Sequence, residues 1–63
     1  MESGLTADEL DVLMKVIDEY LSDLRTEIHD TDNHEYKRGL KLKEGTLREV
    51  LAKLEKARVA SLN

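Results

Sequence analysis

The sequence predicts an all-α fold, an antiparallel two-helix hairpin, and three observations carry that prediction. Apolar residues recur at steps of three and four along two long stretches, the spacing of a helical face and not of a strand. Between the stretches lies Asp30-Thr31-Asp32-Asn33, whose short polar side chains bond nearby backbone and favour turns and caps. Folding the chain about Asp32 then brings the apolar residues of the two stretches opposite one another.

The first stretch has a well-specified start. Residues 1–5 are expected to fray, and Thr6-Ala7-Asp8-Glu9 matches a capping box, in which the Thr6 hydroxyl accepts from the Glu9 N–H and Glu9 reaches back. Leu5 and Leu10 occupy the two positions of a hydrophobic staple, and Asp8, Glu9 and Asp11 suit the positive end of the helix dipole. From there Leu10, Leu13, Ile17, Leu21, Leu24 and Ile28 form the main stripe. Met14 widens it on one side, and Val12, Val16 and Tyr20 make a second ridge on the other. The combined apolar arc is about 200° wide, twice the ~100° that one partner needs. Helix 1 is therefore expected over about 7–30, with a neighbour on each of two sides.

The reversal is expected at about 31–32, with Asp32 and Glu35 giving a second cap signature and helix 2 running over about 33–60. Its apolar positions are Tyr36, Leu40, Leu47, Val50, Leu51, Leu54 and Ala57, an ordinary single face of about 120°. Lys43 falls within that face and has to run its stem outward to reach water. Gly39 and Gly45 each weaken a helix by about 1 kcal/mol relative to Ala. Thr46-Leu47-Arg48-Glu49 could restart a helix after a break near Gly45, but the stripe keeps phase across that glycine, which favours one continuous helix.

Register and charge agree with the hairpin. A fold point at Asp32 sets Ile28 against Tyr36, Leu24 against Leu40, Ile17 against Leu47, Leu13 against Leu51 and Leu10 against Leu54, with Leu21 opposite Lys43 as the one mismatch. These residues are the expected hairpin core. Residues 7–30 carry eight acids and two bases, net −6, whereas residues 33–60 carry four acids and eight bases, net +4. The same fold point places Glu27 opposite Lys37, and exposed pairs of this kind are worth about 0.2–1 kcal/mol.

The stretch Tyr20-Leu21-Ser22-Asp23-Leu24-Arg25-Thr26-Glu27-Ile28, followed by Thr31-Asp32 and Tyr36-Lys37, resembles a group of short uncharacterised bacterial helical-hairpin proteins. Those proteins share a Leu-Arg-x-Glu-Ile-x-x-Thr-Asp core followed by a basic, Leu-spaced helix. The resemblance covers roughly residues 5–55. It implies a bacterial origin and a helical hairpin, and it implies no activity. Gly39 and Gly45 stand where ordinary helix formers are expected.

Size decides much of what remains. Sixty-three residues make at most one domain, with no Cys, Trp or Phe to strengthen it. Ordering such a chain costs on the order of 1.5 kcal/mol per residue, which the apolar burial of so small a scaffold roughly cancels. Without disulfide or thiolate metal site, oligomerisation is the remaining source of stability. The prediction is a homodimer forming a four-helix bundle, with either the Val12, Val16 and Tyr20 ridge or the Met14 flank as the candidate contact between chains.

Specific chemistry is weakly signalled. His29, Asp30, Asp32, His34 and Glu35 are the one concentration of ligand-type side chains. Read as a calcium loop from Asp30, the sixth and twelfth positions hold Glu35 and Lys41 where Gly and a bidentate Glu are required, so that motif fails. Zinc at His29 and His34 is the remaining metal reading, and turn chemistry alone accounts for the same residues. Lys37, Arg38, Lys41, Arg48 and Lys56 make helix 2 basic, but Glu44, Glu49 and Glu55 interrupt them, and the net charge of −4 disfavours nucleic acid. There is no paired nucleophile, no phosphate-binding glycine loop and no room for a water-excluding pocket, so neither an enzyme nor a cofactor is expected. No apolar run is long enough to cross a bilayer, and the acidic Met1-Glu2-Ser3-Gly4 lacks the blocks of a signal peptide, so a cytoplasmic location is expected. The expected function is a small structural or protein-interaction module, with room for an unidentified protein partner besides its own copy. The alternatives are a metal- or ligand-responsive regulator using the turn, or a nucleic-acid accessory protein.

Overall fold

The computed structural model describes residues 4–61, and its first helix begins where Thr6 can cap it. Thr6 Oγ1 accepts from the Glu9 N–H at 3.1 Å, and Glu9 Oε1 accepts from the Thr6 N–H at 2.8 Å. Two N–H groups that a helix start leaves without partners are thereby satisfied. Helix α1 spans Ala7–Asp30 and is followed by α2, His34–Ser61; the two pack against each other as an antiparallel hairpin, and there is no strand among the described residues. Residues 1–3 of the expected frayed start, and most of the acidic N-terminus read for a leader, lie outside the described residues.

The reversal takes three residues, 31–33. Thr31 turns the chain out of α1 in an extended conformation, φ −87° and ψ 138°, while its N–H still donates to the Glu27 carbonyl at 3.1 Å. Its hydroxyl accepts from the Asn33 N–H at 3.3 Å. Asn33 then caps α2, its Oδ1 accepting from the Tyr36 N–H at 3.0 Å. The cap is thus Asn33, one residue after the expected Asp32, with Tyr36 rather than Glu35 at the third helical position. Both residue types cap well, so the side-chain alphabet alone does not choose between them. No non-glycine residue among those described has positive φ, so this turn closes without a left-handed residue.

Helix α2 runs unbroken through Gly39 and Gly45. The reason lies in the seam. Along α1 the residues withdrawn from solvent are 7, 10, 14, 17, 21, 24 and 28; along α2 they are 37, 40, 44, 47, 51, 54 and 58, with 57 beside them. Steps of three and four alternate throughout, the heptad spacing of helices that keep one face on a partner. Continuity of that seam on both sides of Gly45 holds the helix together there.

Leu21, Leu24 and Leu40 form the buried cluster, with Ile17, Ile28, Leu47 and Leu51 packed against it, and Leu10 is buried nearer the open end. Two members of the expected core sit elsewhere. Leu13 is 39% exposed and Met14 takes the seam position, so these neighbours exchange their expected roles. On a helix of 3.6 residues per turn, position 14 lies closer than position 13 to the centre line of the stripe through Leu10, Ile17 and Leu21. Tyr36 is 50% exposed, straddling the seam with Lys37 on its other side. The mismatch of Leu21 with Lys43 resolves as the long stem allows: Leu21 is buried and Lys43 is exposed. The hairpin measures 46 × 17 × 14 Å, two helices wide and one helix thick.

Candidate functional site

The seam has two flanks, and they differ in chemistry. On the first, Arg58 of α2 grips the Asp11 carboxylate of α1 through Nε and Nη2, the second contact at 3.1 Å. Asp11 holds the Arg58 guanidinium above its ordinary pKa, by hydrogen bond first and by charge second. Further toward the reversal, Arg25 Nε donates to Glu44 Oε2 at 3.4 Å, and Arg48 Nη2 donates to the same oxygen at 3.3 Å. Glu44 occupies a seam position with its side chain 21% exposed, which is why it draws an arginine from each helix. This flank is closed by ion pairs that cross between the helices.

On the second flank the side chains are aromatic and apolar. Tyr36 donates its hydroxyl proton to Glu27 Oε2 at 2.8 Å, and Lys43 Nζ donates to the Tyr20 hydroxyl at 2.9 Å while standing 5.5 Å from the centre of that ring. The hydrogen bond to Glu27 keeps the Tyr36 proton bound, so its pKa is raised; the Tyr20 hydroxyl raises that of Lys43 in the same way. Glu27 therefore meets Tyr36 across the hairpin, not the expected Lys37. Residues 20 and 27 on α1, and 36 and 43 on α2, are each seven apart, and the next step of seven toward the open end reaches Leu13 and Val50. These are 39% and 37% exposed.

Val12 and Val16 widen the second flank on α1, 65% and 56% exposed, and with Leu5, Glu9 and Leu13 they line a shallow open depression. Of the four candidate contact residues, Val12, Val16 and Tyr20 share this flank, and Met14 does not. Leu13 joins them, and its signal was available: it lies on the Val16 and Tyr20 side of the stripe, in steps of three and four. Comparison of the chain with protein-family models, with curated proteins and with solved structures gives no match.

The turn is chemically plain. His29 Nδ1 lies 3.2 Å from Asp30 Oδ1, with both side chains largely in solvent. Among the described residues no group of three or more His, Cys, Asp or Glu side chains gathers where it could hold a metal ion. Likewise, no described helix is long and apolar enough to cross a membrane. The apolar flank gathers the exposed Val12, Leu13 and Val16 beside the polar Glu9, Glu27 and Lys43, and what such an apolar ridge can do is bind another apolar surface.

Proposed function

We propose that the chain is a small protein-interaction module that works as a homodimer, two hairpins stacking through their apolar flanks into a four-helix bundle. The observation that carries this reading is the ridge of Val12, Leu13, Val16 and Tyr20, which α2, the one helix packed on α1 among the described residues, leaves 39–65% exposed. Surface area supports it. The chain exposes 5110 Å², whereas a compact protein of 7.2 kDa exposes roughly 4,100 Å². The excess, roughly 1,000 Å², comes with the thin 46 × 17 × 14 Å shape and leaves room for the ~800 Å² that each partner contributes to a standard interface. The cysteine-free sequence suits a reducing compartment, and the cytoplasm is the proposed location.

Sedimentation equilibrium across the micromolar range tests the proposal. A mass twice that of the chain is expected, with thermal stability that rises with concentration because only the folded state dimerises. A helical monomer with concentration-independent melting overturns it.

A further inference from the structure

Granting the dimer proposed above, we infer that the second copy docks with its basic α2 beside this chain's acidic α1, both turns at the same end of the bundle. Two symmetric stackings of an antiparallel hairpin on its own flank exist. With the two-fold axis parallel to the helices, α1 lies beside the partner's α2 and diagonally across from the partner's α1. With the axis perpendicular to the helices, α1 lies on the partner's α1, and α2 on the partner's α2.

Charge chooses between them. Residues 7–30 have eight acids against two bases, and residues 33–60 have eight bases against four acids. The perpendicular axis lays acid on acid, bringing Glu9 of one chain to the level of Asp23 or Glu27 in the other. The parallel axis keeps every adjacent pair of helices opposite in charge. Levels along the hairpin follow from its own cross-links: Tyr20 bonds Lys43 and Asp11 bonds Arg58, which puts Val16 midway between them, level with Val50. A parallel axis preserves level, so Val16 meets the partner's Val50, Tyr20 meets the partner's Thr46, and Asp23 stands level with the partner's Lys43. Gly39 adds a steric observation. It lies between Tyr36 and Lys43 toward the same flank, and a Cβ there would meet nothing within 4 Å of its own hairpin. The same openness holds at Gly45 on the outer face, so Gly39 leaves room for a helix arriving at Glu27 level without requiring one.

The cysteine-free sequence allows a direct test by disulfide trapping, which needs Cα atoms roughly 4.4–6.8 Å apart. Val16→Cys and Val50→Cys chains are mixed and oxidised mildly, each first checked for helicity and for dimer mass. The mixture is expected to give a covalent heterodimer at least about ten times faster than Val16→Cys alone, because the mixed dimer sets the two thiols side by side whereas the Val16→Cys dimer holds them on diagonal helices. Tyr20→Cys mixed with Thr46→Cys repeats the test one turn away. Rapid cross-linking of Val16→Cys with itself overturns the inference in favour of the perpendicular axis. A dimer in which neither mixed pair cross-links overturns it as well. Monomeric wild-type chain removes the dimer itself, an outcome that sedimentation reports separately from the trapping.

Discussion

The two flanks of the seam come from the same helices at the same seven-residue step, yet only one is completed within the chain. On the ionic flank the helices are tied by pairs that cross the hairpin: Asp11 with Arg58, and Glu44 with Arg25. On the apolar flank the crossing contacts stop at Tyr20 and Lys43, and beyond them Val12, Leu13 and Val16 face outward. Charged flanks end in water at little cost, since an exposed pair gains under about 1 kcal/mol whether or not it forms. An apolar flank gains only by being covered, at about 25 cal/mol per Å². The difference teaches which side of a thin hairpin is finished by its own ion pairs and which leaves apolar area open to water.

The largest effect should come from the seam that both flanks share. Leu21→Asp puts a charge at a position 2% exposed, where even truncation to Ala would cost about 2–5 kcal/mol. Helicity by circular dichroism should vanish and assembly with it; normal thermal unfolding would show that the layers are misassigned. Next, one charge on each flank separates their roles. Val16→Asp should reduce sedimentation mass to that of one chain, while Asp18→Lys, on the ionic side between Asp11 and Arg25, should leave it unchanged. Equal responses would erase the distinction between the flanks.

The helix glycines give a finer contrast. Gly45 faces solvent, and a methyl group there would meet nothing within 4 Å, so Gly45→Ala should raise the melting temperature by the equivalent of about 1 kcal/mol. Gly39→Ala, on the apolar flank, should gain less. Arg58→Ala should lower the melting temperature only slightly, and high salt should shrink the difference from wild type to the part that the packed stem contributes. The smallest effect is alkaline. Tyr36 and Lys43 both have folded pKa values raised above their unfolded ones, so their contribution is complete at neutral pH. It is lost as pH climbs past about 10 and through the raised values. Tyr36→Phe should flatten that decline in a pH series of melting curves.

Much of this architecture is legible in the sequence because local chemistry dictates it. Thr6 and Glu9 announce α1, and the polar run at 30–33 announces the reversal, since few other conformations suit those side chains. The stripe through Leu10, Ile17, Leu21 and Leu24 marks the seam. Less legible was anything that depends on register between helices. Met14 instead of Leu13 in the seam, Tyr36 instead of Lys37 opposite Glu27, and the arginine pairs to Asp11 and Glu44 all turn on small offsets along or around the helices. Period alone does not fix such offsets; they emerge when both helices pack. Leu13 shows the consequence for the site: removed from the seam, it enlarges the very ridge on which the proposed assembly depends.

The three-residue reversal also bears on how the chain acquires its structure. The polar contacts between the helices lie at widening separations around that bend, from the 9 residues separating Glu27 and Tyr36 to the 47 separating Asp11 and Arg58. A contact near the bend shortens the loop that a distant one must close, so ordering is expected to spread outward from the bend, at the modest entropic penalty of small loops. The Leu24 and Leu40 cluster lies close to where that spread begins, and the apolar ridge near Val12 and Val16 lies toward where it finishes. That exposed ridge is thus expected among the last parts of the hairpin to be ordered.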